Sequence, residues 1–457
     1  MLPVLTVEEM RAADAATIRR VPESTLVDRA GTATAHAAMR MLRGSYGRRV
    51  LVLVGKGNNG ADGRVAAARL SARGARVAIA GPGEDVPTGG WDLVVDAVLG
   101  TGFRGSYDAP PVAAGTPVLA VDIPSGVAGD TGEAPGRPMR ADRTVTFAAW
   151  KRGLLLGEGR RLAGEVEVAD IGVAPGDASV ALVEDGDVRA LLPRRPTEAH
   201  KWMTAVAVVA GSPGMEGAAA LCASGATRAG AGMVRLAVPG SEGGLPGPWP
   251  IEAVRLALPL RGWADRVLDQ IDRCRALVVG PGLGRDEATQ AEIRKLVARA
   301  TLPTVVDADA LFALGGSTWP VRERDDRLVL TPHDGEYQRL LSSPAGPDRI
   351  GAAERLADSV GATALVKGSV TAVAGPGPAP GRPRVLLAAA GSPRLATAGT
   401  GDVLGGVIGA LLARGLEPPV AAALGAHVHG RAASLGHAEG LGAGDLPDLV
   451  ARWLSEI

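Results

Sequence analysis

The chain of 457 residues carries 49 Lys and Arg residues against 49 Asp and Glu residues, so its formal net charge is zero. This balance gives no global electrostatic footprint for a nucleic-acid backbone, and we expect any anionic partner to be captured locally. The presence of only two cysteines, Cys222 and Cys274, argues against a disulfide scaffold and against a cysteine-based zinc site.

The length and the N-terminal stretch indicate a soluble protein of two domains. A chain of this size can build two or three cores, and we expect two. The stretch MLPVLTVEEMRAAD becomes polar and acidic too soon for a secretory signal, and no apolar run reaches membrane-spanning length. We therefore expect a cytoplasmic protein that binds small molecules, contacts neither membrane nor nucleic acid, and assembles as a homo-oligomer.

Short apolar runs that end in Gly- or Asp-rich turns recur along the chain. The first series is RVLVLVGKGNNGADG, DLVVDAVLGTG and PVLAVDIPSG, and the second is AVAVVAGS, ALVVGPGLG, PTVVDADAL, LVLTPHDGE and TALVKGSVTAV. Helix-like segments follow these runs, which predicts mostly parallel α/β sheets in both halves. Pro, Gly and charged residues replace the pattern near residues 185–195, and we place the domain boundary between residues 188 and 189.

The loop GKGNNGADG, residues 55–63, follows the first predicted strand and leads into an Ala-rich helix. Backbone N–H groups of such a loop, together with a helix N-terminus, form an anion site. The loop is neither a Walker loop nor a dinucleotide fingerprint. A plain strand-to-helix turn is the alternative, but two amides and Asp62 in one turn exceed what capping requires.

Two further strand ends carry acids, Asp96 in VVDAVLG and Asp122 in AVDIPSG. Ligands of open α/β sheets bind beyond the carboxyl ends of the strands, so these groups are expected to converge on one crevice. Each acid alone could cap a helix. Together, the oxygens of Asn59, Asp96 and Ser125 could hold a hard cation.

The segments GNNGADG, DAVLGTGFRG and DIPSGVAGDTG, with VEEMRAADAATI and VDRAG before them, resemble the NAD(P)H-hydrate epimerase family, which has a Rossmann-like fold. The resemblance implies K⁺ at Asn59, Asp96 and Ser125, and an acid/base role for Asp122. Ala61 replaces the usual third glycine of the loop and needs a negative φ. The resemblance implies that the hydrated nucleotide contacts Asn58, Asn59, Gly60, Ala61, Asp62, Gly102, Phe103, Arg104 and Gly105.

The C-terminal stretch AGTGDVLGGVIGALLARG places Asp402 after glycines, where an apolar helix begins. Free backbone N–H groups and the positive end of the helix would form an anion hole with a carboxylate at its rim. This combination suits phosphoryl transfer, in which the amides stabilise phosphoryl oxygens and the acid deprotonates an attacking hydroxyl. The alternative is that Asp402 only caps the helix.

Other C-terminal motifs support the same chemistry, namely His333 and Glu336 in TPHDGE and Lys367 at the end of the strand in LVKGSVTAV. With GAAALCASGATRAGAGMV, GPGLG, DADAL and AGTGD, they resemble the ADP/ATP-dependent NAD(P)H-hydrate dehydratase family, a branch of the ribokinase-like fold. The resemblance implies that the hydrate contacts Ala218, Gly282, His333 and Asp402, and that the adenine nucleotide contacts Lys367, Gly368, Ser369, Val370, Thr371 and Gly401.

These resemblances imply nicotinamide nucleotide repair of NADHX and NADPHX, with residues 1–188 as the epimerase domain and residues 189–457 as the dehydratase domain. ADP or ATP would be the phosphoryl donor, with Mg²⁺ and K⁺ as the ions, and ADP is the expected donor. Two alternatives stay open at this point. The C-terminal half could be a ribokinase-like small-molecule kinase, and the N-terminal half could be a ligand-binding or interaction module without catalysis.

Overall fold

The computed structural model describes residues 1–84, 86, 89–244, 247, 249–315, 327–377 and 381–457. The chain forms two compact units, one of Leu2–Val180 and one of Ala181–Ile457 together with Met1. Both units contain a largely parallel sheet between layers of helices, so the predicted α/β fold class is confirmed.

The N-terminal unit is built on a six-stranded parallel sheet with the order β10-β8-β6-β4-β2-β3. Two short parallel pairs, β1 with β9 and β5 with β7, complete its strands. The strands are β1 (Leu2–Leu5), β2 (Arg49–Val54), β3 (Arg76–Ala80), β4 (Leu93–Ala97), β5 (Tyr107–Asp108), β6 (Val118–Val121), β7 (Gly136–Arg137), β8 (Arg143–Phe147), β9 (Trp150–Lys151) and β10 (Glu165–Ala169). The helices are α1 (Val7–Ile18), α2 (Glu23–Leu42), α3 (Asn58–Ala72) and α4 (Gly157–Leu162).

Strand β2 shows why the N-terminal sheet is buried on both faces. Val50, Val52 and Val54 enter the core formed with α2 and α3, whereas Leu51 and Leu53 enter the core on the opposite face. Successive side chains of a strand point to opposite faces, so a continuous apolar run is what a strand covered on both sides requires. The sheet therefore presents its polar groups beyond the strand ends, where the loops lie.

The C-terminal unit has a sheet with the order β14-β13-β12-β15-β16-β17-β18-β19-β20-β11. Strands from β14 to β18 are parallel, and β19 is antiparallel to both of its neighbours. The unit division falls inside β11. The strands are β11 (Val180–Leu182), β12 (Ala205–Val209), β13 (Met233–Pro239), β14 (Val254–Leu258), β15 (Ala276–Val279), β16 (Thr304–Val306), β17 (Leu328–Leu330), β18 (Thr363–Val366), β19 (Thr371–Ala374) and β20 (Val385–Ala388).

Helices cover both faces of this second sheet as well. The core on one face is formed largely with α6, α12, α13 and α14, and the core on the other face with α7, α8 and α9. The helices are α5 (Asp185–Leu191), α6 (Glu216–Arg228), α7 (Trp263–Leu268), α8 (Glu287–Arg299), α9 (Asp309–Leu314), α10 (Asp334–Leu341), α11 (Arg349–Val360), α12 (Thr400–Ala413), α13 (Pro418–Leu435) and α14 (Leu446–Glu456).

Within the described ranges, no helix combines the length and the apolar character needed to cross a bilayer.

Helices α6 and α12 approach each other closely at glycines. A Cβ atom on Gly406 would lie 2.0 Å from the carbonyl oxygen of Cys222, and one on Gly225 would lie 2.5 Å from the carbonyl oxygen of Val403. Backbone atoms cannot move away as a flexible side chain can. The two helices therefore depend on glycine at these positions.

Replacing Gly406 with alanine is expected to destabilise the C-terminal unit by about 3 kcal/mol or more, because its methyl group would overlap the α6 backbone. Gly217 is the matched control, since it also lies in a helix but has open space around the position of a Cβ. Gly217→Ala is expected to leave the free energy of unfolding unchanged or raise it by up to about 1 kcal/mol. Denaturant unfolding of both variants measures the difference, and equal stabilities would contradict the packing argument.

Candidate functional site

The N-terminal unit contains a cavity of about 470 Å³ at the carboxyl ends of its strands. Of the predicted residues, those that line it are Asn58, Asn59, Asp62, Gly102, Phe103 and Asp122. Arg104 and Gly105 instead line a second cavity of about 670 Å³, which shares Gly102 and Phe103 with the first. Eight of the predicted residues thus line two adjoining cavities, whereas Gly60, Ala61, Asp96 and Ser125 line neither.

The glycine loop passes directly into helix α3, which begins at Asn58 after the N-cap residue Gly57. Ala61 lies within the first turn, and its N–H donates to the carbonyl of Gly57 at 3.1 Å. Helical backbone has the negative φ that alanine needs, so the alanine fits this position. A Cβ on Gly60 would lie 2.0 Å from the carbonyl oxygen of Gly55. Glycine is therefore required at position 60, because the backbone of Gly55 passes too close for a side chain.

A hydrogen-bonded group of buried oxygens joins the three residues predicted to hold a cation. Ser125 donates its hydroxyl to Asp96 Oδ1 at 2.6 Å and its N–H to Asp96 Oδ2 at 2.9 Å. Leu99 links the group, because its N–H donates to Ser125 Oγ at 2.8 Å and its carbonyl accepts from Asn59 Nδ2 at 2.9 Å. The amide oxygen of Asn59 is buried and has no hydrogen-bond partner among the described atoms.

Burial raises the pKa of Asp96, whereas the hydrogen bonds from Ser125 act in the opposite direction. The buried carboxylate of Asp96 lacks a compensating positive charge, and the amide oxygen of Asn59 lacks a donor. A cation coordinated by these oxygens would satisfy both groups.

Asp122 follows β6 and occupies the left-handed backbone region, with φ at 65°. Its N–H donates to the carbonyl of Val145 at 2.7 Å, which fixes the backbone in this conformation. The carboxylate Oδ1 accepts from the Thr146 hydroxyl at 3.0 Å and lies 2.7 Å from the ammonium of Lys151. A non-glycine residue in this region costs on the order of 1–3 kcal/mol and persists only where its surroundings enforce it.

Two more carboxyl groups line the same cavity, Asp14 on α1 and Asp62 on α3. Burial raises the pKa of Asp62 to about 8, and the charges of Asp122 and Asp14 add to the shift. Burial also raises the pKa of Asp14, although the nearby ammonium of Lys151 opposes the change. Near neutral pH, Asp62 is therefore largely protonated and can donate a proton inside the cavity.

In the C-terminal unit, Asp402 lies in the first turn of α12, where the anion-hole argument predicts it. The helix is capped by Gly399, with φ at 89° and no side-chain hydrogen bond, so Asp402 is not the N-cap residue. Burial raises the pKa of Asp402 to about 7, and the charge of Asp307 adds to the shift while that of Lys367 opposes it. The carboxyl group is therefore poised between its two protonation states near neutral pH.

Lys367 and Asp307 form the central ion pair of this second site. Lys367 Nζ lies 2.7 Å from Asp307 Oδ1, and the hydroxyl of Thr331 donates to the same oxygen at 2.7 Å. Burial acts to lower the pKa of Lys367, but the charges of Asp307 and Glu336 outweigh it and raise the pKa. A Cβ on Gly401 would lie 3.5 Å from Lys367 Nζ, which places the ammonium at the N-terminus of α12.

The other predicted residues of this unit lie in a turn between two strands, at a close contact between Gly282 and Ala218, and at a helix N-terminus. Lys367–Val370 forms the turn between β18 and β19, and Thr371 opens β19. Gly282 has φ at 63°, and a Cβ there would lie 2.8 Å from Ala218 Cβ, so these two residues meet. His333 is the N-cap of α10, where its Nδ1 accepts from the N–H groups of Gly335 and Glu336.

His333 and Glu336 line a cavity of about 420 Å³. The side chain of His333 is 62% exposed and that of Glu336 only 12% exposed. Burial raises the pKa of Glu336, with Lys367 opposing and Asp307 adding to the shift. The Nδ1 atom of His333 caps the helix, and its Nε2 atom lies 3.5 Å from Glu336 Oε1.

Sequence reasoning missed the partners of Asp122 and Lys367. Lys151 and Thr146 surround Asp122, and Thr331 and Asp307 surround Lys367. The available signals were the lysine inside the apolar run FAAWKRGLLLG and the first aspartate of DADAL, Asp307. Neither signal names its partner, because the contacts join residues from different strands.

Comparison with known proteins agrees with this arrangement. Residues 206–455 match a family model described as NAD(P)H-hydrate dehydratase, and residues 23–89 and 82–153 match one described as YjeF-related protein N-terminus. The bifunctional NAD(P)H-hydrate repair enzyme of Moorella thermoacetica is 38% identical over 90% of this chain and 88% of its own length. The enzyme of the same name from Mycobacterium leprae is 38% identical over 99% and 98%.

Solved structures extend the comparison to the C-terminal unit. The ADP/ATP-dependent NAD(P)H-hydrate dehydratase from Bacillus subtilis, co-crystallised with ATP and Mg²⁺, is 31% identical with a TM-score of 0.52, over 60% of this chain and 97% of that one. A ribokinase-like superfamily protein from Enterococcus faecalis, 20% identical with a TM-score of 0.53 over 61% and 96%, shares the fold. The chain therefore belongs to the family of bifunctional NAD(P)H-hydrate repair enzymes.

Proposed function

We propose that the chain repairs NADHX and NADPHX, the hydrates of NADH and NADPH. One active site interconverts the R and S epimers, and the other uses a nucleotide to dehydrate the S hydrate. We assign the epimerase to residues 1–188 and the dehydratase to residues 189–457. The division of the compact units at Val180 and Ala181, near this boundary, supports the assignment. Asp402 beside Lys367 at the N-terminus of α12 is the observation that carries the proposal.

In the dehydratase, Asp402 accepts the proton of the C6 hydroxyl of the S hydrate. The hydroxyl oxygen then attacks the terminal phosphorus of the nucleotide, and the bond from that phosphorus to its bridging oxygen breaks. Backbone N–H groups from Gly399 to Gly401 and the positive end of α12 stabilise the phosphoryl oxygens. Lys367, freed from part of its pairing with Asp307, neutralises phosphate charge.

The second step restores the reduced coenzyme. Phosphorylation makes the C6 oxygen a good leaving group, so the C6–O bond breaks with its electron pair on the departing phosphate. The departing phosphate accepts the proton from C5, and the electron pair of that C5–H bond forms the C5–C6 double bond. Ala218, Gly282 and His333 are proposed to contact the hydrate, and the turn from Lys367 to Thr371 is proposed to contact the nucleotide.

Mg²⁺ is proposed to enter with the nucleotide. The described part of the chain contains no group of three His, Cys, Asp or Glu side chains suited to a metal. Mg²⁺ commonly binds substrate phosphates with few protein ligands, so this donor set fits an ion held by the nucleotide. When bound, it neutralises phosphoryl charge. ADP is the proposed donor, and ATP is the alternative.

In the epimerase, Asp122 is proposed as the acid/base at C6. The loop from Asn58 to Asp62 and the segment from Gly102 to Gly105 are proposed to bind the nucleotide, because most of their side chains line the two adjoining cavities. K⁺ is proposed at Asn59, Asp96 and Ser125. The unpartnered amide oxygen of Asn59 supports the ion, which would order the loop without taking part in bond changes.

We further propose that the protein acts as a homo-oligomer in the cytoplasm. Cys222 and Cys274 are both free and buried, which is compatible with a reducing compartment.

Asp402→Ala is expected to lower the nucleotide-dependent dehydration rate by about 10²–10⁴-fold, because the hydroxyl loses its base. Asp122→Asn is expected to leave dehydration of the S hydrate intact while the R hydrate persists. Near-ultraviolet absorbance of reduced nicotinamide, with chromatography of both epimers, measures the two effects in mixed hydrates with Mg²⁺ and ADP or ATP. A stable phosphate ester as the product would favour the kinase alternative instead.

Asp402 also predicts a pH-dependent change in stability. Its pKa is raised to about 7, so between about pH 4 and pH 7 the folded state binds more protons than the unfolded state, and stability falls as pH rises. Asp402→Asn removes this loss and is expected to raise the free energy of unfolding by about 2 kcal/mol at pH 8. Differential scanning calorimetry without nucleotide should show a gain over wild type that grows between about pH 5 and pH 7.

Asp265→Asn is the matched control for this measurement. Hydrogen bonds from Lys295 and Arg299 lower the pKa of Asp265, so its removal should give no such gain. Equal melting temperatures of Asp402→Asn and wild type at pH 8 would contradict the assigned environment of Asp402.

The cation proposal predicts stabilisation by K⁺. At about ten times its Kd, K⁺ should stabilise the N-terminal unit by about 1.4 kcal/mol, and Asn59→Leu should abolish the effect. Asn58→Leu is the control, because the Asn58 amide hydrogen-bonds Glu23 at 3.0 Å instead of the buried oxygen group. Thermal melts in KCl and choline chloride make the comparison. An equal shift with both salts would remove the support for a specific site.

A further inference from the structure

Lys151 is the most deeply buried charged side chain of the N-terminal cavity, at 1% exposure. Burying an ammonium is costly unless it is paired and fully hydrogen-bonded. Its three contacts meet that condition, namely Asp122 Oδ1 at 2.7 Å, Thr146 Oγ1 at 2.9 Å and the carbonyl of Phe147 at 2.7 Å. One ion pair and two hydrogen bonds therefore compensate the ammonium for the water that it loses.

The contacts on Asp122 fall on one oxygen. Lys151 and Thr146 both reach Oδ1, and among the described residues Oδ2 has no hydrogen bond or ion pair. Thr146 lies on β8 of the six-stranded sheet and Lys151 lies on β9, which pairs with β1, so both groups that hold the carboxylate are on strands. Oδ2 is thereby left to act on a bound molecule.

The charges around Asp122 explain why a cation is needed there. Asp62 on α3, Asp14 on α1 and Glu23 on α2 line the same cavity, and all are acids. Four carboxyl groups in one cavity repel each other when ionised. Lys151 is the one lysine or arginine among the residues described as lining that cavity.

We propose that Lys151 is a positioning residue of the epimerase, which holds Asp122 through Oδ1 so that Oδ2 acts as the base, while Asp62 donates the matching proton. The inference rests on the proposed epimerase function. It assigns distinct tasks to the acids of one cavity and a purpose to a lysine that the predicted site did not contain.

The proposed epimerisation begins with the loss of water from C6. Asp62 gives its proton to the C6 hydroxyl, the C6–O bond breaks with its electron pair on the departing water, and the N1 lone pair forms an N1–C6 double bond. Water then adds to the opposite face of C6, the electron pair returns to N1, and Asp122 accepts the proton of that water. For the reverse direction the two acids exchange roles. Lys151 keeps its protons throughout.

The raised pKa of Asp62, about 8, is consistent with its place as the proton donor. A purely structural lysine is the competing explanation, since the same contacts tie β8 to β9. The two explanations differ in whether the loss of Lys151 acts through Asp122.

A double-mutant cycle on the full chain distinguishes a positioning role of Lys151 from a purely structural one. Conversion of pure S hydrate to R hydrate is followed without nucleotide by chromatography, after subtracting the rate without enzyme. Lys151→Met is expected to lower kcat by about 10²-fold with KM nearly unchanged, because Asp122 loses its alignment. In the Asp122→Asn background, Lys151→Met is expected to cause no further loss. Additive losses, or an unchanged kcat for Lys151→Met alone, would overturn the proposal.

Thr146→Val provides a second test that leaves the charge in place. It removes the hydroxyl from Asp122 Oδ1 and is expected to lower kcat by about tenfold. Thr144→Val is its control, because the Thr144 hydroxyl is on the same strand but donates to the carbonyl of Ala163 at 2.7 Å. Equal rates for the two threonine variants would count against the proposal, even if Lys151→Met fails to fold.

Two readouts keep the outcomes distinct. Dehydration of S hydrate by the same chain and circular dichroism report folding of each variant. If wild type does not interconvert the epimers, the proposed epimerase function fails. If wild type interconverts them but the cycle is additive, only the role of Lys151 fails.

Discussion

Both sites depend on the same interaction, a strand-end aspartate whose Oδ1 accepts from a lysine ammonium and a threonine hydroxyl. In the N-terminal unit these groups are Asp122, Lys151 and Thr146, and in the C-terminal unit they are Asp307, Lys367 and Thr331. A parallel sheet buried on both faces brings strand ends from distant parts of the chain to one edge. Charge placed there is only partly hydrated, and the ammonium and the hydroxyl compensate each carboxylate for the water that it loses.

In each unit a second carboxyl group is buried near the paired aspartate, and burial favours its protonated form. Asp62 and Asp402 are each buried beside a paired aspartate, and their pKa values rise to about 8 and about 7. Each unit thus combines a carboxylate with a carboxyl group that titrates near neutral pH. Acid–base chemistry uses such a separation of protonation states, and burial is its main cause in both units.

The sequence predicted the architecture and the positions of the chemistry better than it predicted the partners. The strand runs, the start of α12 and the cavity positions of Asn59, Asp62 and Asp122 follow from local patterns of apolar residues, glycine and acids. The antiparallel β19 and the pairing of Lys151 with Asp122 depend on contacts between strands, which local patterns do not encode. His333 was predicted to contact substrate, and the structure adds a capping role that its strand-end position allows.

Helix α12 connects the packing of the C-terminal unit to its chemistry. Glycines at 405, 406 and 409 lower the intrinsic helix propensity of its sequence, so tertiary packing must hold the helix. The same glycines let its backbone approach α6 and β15, since a Cβ on Gly409 would lie 2.4 Å from a methyl of Val278. A helix fixed by backbone contacts has little freedom to slide or tilt. Its first turn therefore holds Asp402 and the N–H groups of Gly399 and Gly401 close to Lys367, as the proposed phosphoryl transfer requires.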